Sequence, residues 1–87
     1  MSGPHTPVRV RLFAAAAHAA GADEFTVTAP TLADVLAVVT ELAAEPERFS
    51  SVLSRCSVLV DGAQAPEDSV PLPAGACVDV LPPFAGG

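Results

Sequence analysis

In this 87-residue chain, residues 32–43 carry an apolar stripe with the spacing of one face of a helix. The stripe follows Thr31, whose hydroxyl can cap free backbone N–H groups while Asp34, three residues on, completes a capping-box-like pair. We expect Pro46 to end the helix, because proline interrupts helical hydrogen bonding. The residues at the i, i+3, i+4 and i+7 positions of one buried face are Leu32, Val35, Leu36, Val39, Leu42 and Ala43.

Short strand-like runs lie on both sides of that helix. In residues 8–12, valine and leucine alternate with arginine, a period of two that predicts a strand with one buried face. The run at 57–61 ends at the turn signal Asp61-Gly62. The run at 70–72 contains Pro71, which has no N–H to donate, so we expect it at the edge of a sheet. These further strand predictions span residues 24–28, 57–61, 70–72 and 76–81.

Two shorter helical segments complete the pattern. The alanine-rich residues 13–20 predict a short helix, with Gly21 placed to end it. A second helical turn is expected to bring Phe49, Val52 and Leu53 onto the core, with Arg48 and Arg55 facing out.

Together these elements predict an α+β fold in which a mixed sheet packs on one main helix. Two prolines and a glycine make residues 1–7 a flexible leader, and the proline pair 82–83 stops the last strand. The expected organisation is therefore a leader at 1–7, one domain at 8–83 and a flexible tail at 84–87.

Composition and charge exclude several classes of function. Hydrophobic residues make up 51% of the chain, the net charge is −6 and lysine is absent, which argues against nucleic acid as a partner. The alanine-rich run 14–20 is too short to span a membrane, so we expect no membrane partner. Two cysteines and no signal-like start make a cytoplasmic location the default expectation.

Side-chain catalysis has little support in the sequence. His5 and His18 show no metal-ligand spacing, and no glycine-rich phosphate loop is present, so we expect no metal and no ATP bound by this chain itself. The acidic pairs Glu45/Glu47 and Glu67/Asp68 fit solvated loops. Cys56 and Cys77 fit core or strand positions, although Arg55 beside Cys56 leaves open a persulfide-carrying thiolate.

The chain's own end carries the clearest chemical signal, since residues 82–87 are Pro-Pro-Phe-Ala-Gly-Gly. Glycine has no Cβ, so Gly86 and Gly87 can pass through a slot too narrow for other residues. A carboxylate is inert to nucleophiles at neutral pH until something activates it. Joining it to AMP would create a leaving group, and attack by a persulfide sulfur could then leave a thiocarboxylate on Gly87.

These features resemble the MoaD/ThiS family of ubiquitin-like sulfur carriers over nearly the whole chain after the leader. The PP-x-x-GG ending is the specific part of the resemblance, and the rest is weaker patterning. The matching segments are 10–14, 20–21, 31–32, 58–62, 73–75 and 80–87.

The resemblance implies a β-grasp fold and a carrier that is not an enzyme on its own. It implies adenylation of Gly87 by a MoeB/ThiF-like enzyme that uses ATP and Mg²⁺, with sulfur from a rhodanese or cysteine desulfurase. The proline pair and the length are more like MoaD, the small subunit of molybdopterin synthase, whose tail enters a MoaE-like large subunit and donates sulfur to a cyclic pyranopterin. The implied tail and partner-binding residues are Pro83, Phe84, Ala85 and Gly86.

Other functions remain open at this point. A ThiS-like or CysO-like carrier would serve thiamin, cysteine or a specialised metabolite. A protein modifier would use the same activation chemistry, and the absence of lysine would exclude self-chains through isopeptide bonds. A non-covalent interaction module would tolerate an extra residue after Gly87.

Overall fold

The computed structural model describes residues 7–64, 72, 73 and 75–82. Within these residues, the chain forms β1 (Val8–Leu12), α1 (Ala15–Ala20), β2 (Glu24–Val27), α2 (Leu32–Leu42), α3 (Pro46–Leu53), β3 (Ser57–Val60), β4 (Ala63–Gln64) and β5 (Cys77–Leu81).

The strands form one five-stranded sheet in the order β2-β1-β5-β3-β4. β1 and β5 are parallel, with Val10 level with Val78, whereas the other neighbouring strands are antiparallel. The last strand in sequence is therefore the central strand of the sheet. This arrangement confirms the predicted mixed sheet and the α+β class.

One face of the sheet packs against the helices and forms the core. The alternation predicted for β1 is confirmed, since Val8, Val10 and Leu12 are buried and the two arginines between them are exposed. The other buried strand residues are Val27, Val60, Val78 and Val80, and α2 contributes Leu32, Val35 and Val39.

α2 starts as predicted but ends earlier. The backbone N–H of Asp34 donates to the Thr31 hydroxyl oxygen at 3.2 Å, which confirms the cap. Leu42 was expected in the buried stripe but is 56% exposed. Leu42 is the last helical residue, and the chain turns after it. Ala43, also expected in the stripe, is buried as predicted.

Pro46 does not end α2, as the sequence suggested, but lies in the first turn of α3. Proline suits that place, because the first helical N–H groups have no intrahelical partner and the ring presets a helical φ. Phe49 in α3 is fully buried, which confirms the predicted second helical turn. Val52 and Leu53 pack against the core at its margin.

α1 begins two residues later than predicted, after Ala14, whose backbone has a φ of 55°. Its end is confirmed: Gly21 has a φ of 80°, and its N–H donates to the Ala17 carbonyl at 2.9 Å. A Cβ on Gly21 would also lie 3.0 Å from the Cβ of Ala44, so a side chain there would be both strained and crowded.

The edge strand differs from the prediction. Asp61 and Gly62 have φ values of 52° and 84°, the two positive angles of a tight hairpin turn, so the chain returns at once as β4. The predicted edge strand at 70–72 falls mostly outside the described residues. Leu72, which is described, is not in a strand, and its N–H donates to the Pro30 carbonyl at 2.9 Å.

No helix in the described ranges has the length and apolar character needed to cross a bilayer.

Candidate functional site

The residues predicted to carry the chemistry lie outside the described part of the chain. They are Pro83, Phe84, Ala85, Gly86 and Gly87. The structure describes the surface from which they continue, since Leu81 is the last residue of β5 and the exposed Pro82 follows it.

The position of β5 fixes where this continuation starts. β5 pairs with β1 on one side and β3 on the other, and Leu81 is level with Ser57. An edge strand has a partner on one side only, whereas a central strand is bonded on both. Pro82 therefore follows a strand that two neighbours hold in place.

An apolar patch surrounds this point on the face of the sheet away from the helices. We call it the exit surface and define it as Phe13, Leu59 and Leu81. Phe13 is 39% exposed and follows Leu12, which is level with Val80, so Phe13 is placed level with Leu81. Leu59 and Leu81 are half-buried.

Sequence reasoning did not identify the exit surface. The signal was present in the strand pattern, because Leu59 and Leu81 are leucines at positions where strict alternation predicts polar side chains. A contiguous group of exposed apolar residues, unlike a single one, is typical of a surface that meets a partner.

Next to the exit surface, Arg11 and Asp79 form an ion pair across β1 and β5. Arg11 donates from Nε to Asp79 Oδ1 at 2.7 Å and from Nη2 to Oδ2 at 3.0 Å. The side chain of Arg11 is 48% exposed and that of Asp79 only 13%. The hydrogen bonds from Arg11 hold the pKa of Asp79 below its usual range, and the same contact raises the pKa of Arg11.

The two cysteines do not have the character of reactive thiolates. Cys77 is half-buried in β5, with its Sγ 3.6 Å from Asp79 Oδ1, and burial followed by the charge of Asp79 raises the pKa of its thiol. Cys56 packs against the core, and burial raises the pKa of its thiol as well. A raised pKa leaves less thiolate at neutral pH, which weighs against a persulfide-carrying Cys56.

The remaining candidate residues are not brought together. His18 is exposed on α1, and Glu45 and Glu47 are exposed around the start of α3, with Glu45 Oε2 3.7 Å from Arg48 Nη1. In the ranges that the structure describes, no group of three acidic, histidine or cysteine residues is placed to hold a metal ion. His5, Glu67 and Asp68 lie outside those ranges.

Several solved structures share this fold. The small archaeal modifier protein SAMP1 from Haloferax volcanii is 25% identical, with a TM-score of 0.76 over 93% of this chain and 99% of that one. SAMP1 from Methanosarcina acetivorans is 23% identical, with a TM-score of 0.78 over 98% and 100% of the two chains. A chain from the complex of subunits 1 and 2 of the molybdopterin-converting factor of Helicobacter pylori 26695 is 24% identical, with a TM-score of 0.69 over 94% and 100%.

These likenesses confirm the ubiquitin-like β-grasp fold. No curated protein matched the chain. The profile of the ThiS family matches residues 10–87, which run from the middle of β1 through all the later elements to the Gly-Gly ending. The chain therefore belongs to the ThiS family of ubiquitin-like sulfur carriers.

Proposed function

We propose that this protein carries sulfur as a thiocarboxylate on Gly87. The observation that carries the proposal is the place of β5: the central strand, bonded on both sides, leads directly into Pro-Pro-Phe-Ala-Gly-Gly at residues 82–87. The family match reaches residue 87 and so includes this ending. A carrier needs such an arrangement, because a partner enzyme has to find the reacting end at a fixed place relative to the folded domain.

The proposed chemistry begins with the attack of the Gly87 carboxylate on the α-phosphorus of ATP, which releases pyrophosphate and leaves an acyl-adenylate. A persulfide on a sulfur donor then attacks the acyl carbon, and AMP leaves. The resulting acyl disulfide is cleaved by a second thiol, which leaves the thiocarboxylate on Gly87 and a disulfide on the donor side. The raised pKa values of Cys56 and Cys77 favour a sulfur donor of the rhodanese or cysteine desulfurase type over this chain's own thiols.

Within this function, we assign the chain to the small-subunit role in molybdopterin synthesis. There Gly87 would enter a MoaE-like large subunit and transfer its sulfur to a cyclic pyranopterin. The support is the fold shared with a chain of the Helicobacter pylori complex of molybdopterin-converting factor subunits 1 and 2. A ThiS-like or CysO-like carrier that supplies thiamin, cysteine or a specialised metabolite is the alternative within the same chemistry.

The test of sulfur carriage is an intact-mass measurement. The full chain is incubated with a MoeB/ThiF-like enzyme of the same organism, ATP, Mg²⁺ and a sulfur donor. We expect one oxygen-to-sulfur exchange located at Gly87, and no exchange in a variant that lacks Gly86 and Gly87. Formation of an adenylate without any thiocarboxylate would contradict the proposal.

A second measurement tests the acceptor. The thiocarboxylated chain is mixed with a MoaE-like subunit and cyclic pyranopterin, and sulfur transfer is followed as the return of Gly87 to a carboxylate. Transfer to this acceptor supports the molybdopterin role. If Gly87 keeps its sulfur with this acceptor but transfers it to a thiazole or cysteine precursor, the chain serves another pathway.

The likeness to SAMP1, a small archaeal modifier protein that is 25% identical, favours one other candidate function. As a modifier, the chain would form an amide between Gly87 and a lysine of a target protein. Because Arg55 is the last arginine and lysine is absent, trypsin would leave residues 56–87 on the modified lysine. Detection of that branched peptide in cell extracts would establish conjugation. If the extracts contain the thiocarboxylated chain but no branched peptide, the carrier function is supported and the modifier function is not.

A further inference from the structure

Arg11 offers a partner more hydrogen-bond donors than its ion pair uses. A guanidinium group has five N–H donors, and Asp79 engages one on Nε and one on Nη2. The remaining donors belong to a side chain that is 48% exposed, while the Asp79 side chain is only 13% exposed. A partner approaching this face therefore meets the guanidinium rather than the carboxylate.

The pair also fixes the orientation of the guanidinium. Two parallel N–H to oxygen bonds hold the planar group against the sheet, which reduces the side-chain entropy lost when a second acceptor binds. Arg9, on the same strand and face, has a single contact of 3.3 Å between its Nε and Glu24 Oε2, and its side chain is 65% exposed. Arg11 is thus the better oriented of the two arginines.

Charge distinguishes this face from the rest of the described surface. Arg9 and Arg11 balance Glu24 and Asp79 on the outer face of the sheet. The other described charged residues are two arginines, Arg48 and Arg55, against six carboxylates, Asp23, Asp34, Glu41, Glu45, Glu47 and Asp61. The rest of the described surface, with its excess of carboxylates, repels an acidic partner. On the outer face of the sheet the charges balance, and the free edge of the Arg11 guanidinium can donate to a partner's carboxylate.

Arg11 is close enough to the tail to be covered together with it. It lies two residues before Phe13 on the chain, about 7 Å from the exit surface at the usual rise per strand residue. A specific interface covers about 800 Å² on each partner, more than a few tail residues supply. An enzyme that grips residues 83–87 would extend over the exit surface and reach Arg11.

We propose that Arg11 is a specificity residue for docking: the enzyme that activates Gly87 places a carboxylate against the free edge of the Arg11 guanidinium, beside apolar contacts to Phe13, Leu59 and Leu81. This inference rests on the proposed function, because it takes that enzyme as the occupant of the face. Arg11 positions the domain and does not touch the reacting carbonyl. Its loss should therefore change the concentration of carrier that the enzyme needs, and not the rate at saturation.

The experiment compares Arg11→Lys with Arg9→Lys, a matched change on the same strand and face. Both variants keep the positive charge, and only the first removes a bidentate guanidinium. Adenylation by the MoeB/ThiF-like enzyme is followed as pyrophosphate release over a range of carrier concentrations. We expect Arg11→Lys to raise the half-saturating concentration about tenfold, the range of one charge-assisted contact, with an unchanged maximal rate.

The control variant Arg9→Lys should match the unaltered chain within about twofold. Equal half-saturating concentrations for Arg11→Lys and Arg9→Lys would overturn the inference, as would an effect confined to the maximal rate. Thermal unfolding of each variant shows whether it is folded at the assay temperature, and Arg11→Gln gives a second reading if Arg11→Lys is not. Absence of pyrophosphate release with the unaltered chain would instead contradict the proposed function itself.

Discussion

In the described part of the chain, Ala14 and Asp61 are the two non-glycine residues with a positive φ. Ala14 has a φ of 55° and a ψ of −128°, outside the regions that alanine prefers, and the strand β1 and the helix α1 on either side hold it there. The conformation occurs where the chain leaves the sheet beside the exit surface. It sends the polypeptide from the end of β1 directly into α1.

Replacing Ala14 with glycine should therefore stabilise the protein. Glycine adopts positive φ without the clash of a Cβ, so we expect a gain of about 1 kcal/mol in the free energy of unfolding. Denaturant titration measures it. The matched change Ala37→Gly, at an exposed position inside α2, should instead cost about 0.5–1 kcal/mol. Equal destabilisation by both changes would show that Ala14 is not strained.

Asp79 links stability to pH. Its pKa is lowered from an ordinary value of 3.8 chiefly by the hydrogen bonds from Arg11, so the folded state binds a proton there less readily than the unfolded state. The stabilisation is present above that ordinary value and is lost as the pH falls through the lower pKa of the folded protein.

The variant Asp79→Asn should thus lose stability at neutral pH and show a shallower decline of stability below about pH 4. Urea midpoints measured from pH 6 down to pH 2 test this expectation. Asp23→Asn, at an exposed position outside the pair, is the control for the removal of one surface carboxylate. A parallel decline in Asp79→Asn and the unaltered protein would contradict the assignment.

At the scale of single elements, the packing of α3 on the core depends mainly on one side chain, that of Phe49. Phe49 is the fully buried residue of this helix, while its other apolar residues Val52 and Leu53 pack at the margin of the core. The backbone N–H of Phe49 donates to the Glu45 carbonyl at 2.8 Å, and the N–H of Glu45 in turn donates to the Ala19 carbonyl at 3.0 Å. α3 is therefore joined to α1 by both packing and backbone hydrogen bonds.

Phe49→Ala should cost about 3–5 kcal/mol, since it removes a fully buried aromatic ring and leaves a cavity. A domain of this size has total stability of about 5–15 kcal/mol, so the variant should melt far below the unaltered protein. Circular dichroism during heating measures the difference. Leu42→Ala, at a leucine that is 56% exposed, should leave the melting temperature almost unchanged. Similar effects at the two positions would mean that α3 does not belong to the core.

The elements also show where local patterns are sufficient and where they are not. The Thr31 cap of α2 and the Gly21 end of α1 match the sequence prediction, because each depends on residues within one helical turn. The role of Pro46 was mispredicted, because proline suits both the end of one helix and the first turn of the next. The edge strand β4 has no β-branched or aromatic residue, so its sequence gave little sign of a strand.

For the whole molecule, the decisive feature is the central place of the last strand. β5 joins β1, some seventy residues earlier, to β3, and both halves of the sheet meet on it. The sheet is therefore complete only when the two ends of the described chain have come together. This topology couples the fold of the domain to the start of the predicted tail.

We expect the backbone amides of β5 to be among the slowest in the described chain to exchange with deuterium. Every one of them faces a neighbouring strand, whereas alternate amides of the edge strand β2 face away from the sheet. Hydrogen exchange followed by NMR should place Val78 and Val80 near the global unfolding free energy and Thr26 well below it. Faster exchange in β5 than in β2 would show that the end of the sheet opens locally and does not hold the tail.

The amino-acid sequence alone determined the α+β class, the buried faces of β1 and α2, and the resemblance carried by the Gly-Gly ending. These predictions depend on spacings of two to four residues or on a short motif. Local backbone geometry fixes which residues at such spacings share a face of a strand or helix and which can cap a helix. Only the tertiary structure placed β5 at the centre of the sheet, brought Arg11 to Asp79 across 68 residues, and grouped Phe13 with Leu59 and Leu81. Strand order and register depend on how the complete set of apolar faces packs together, and no local pattern specifies that packing.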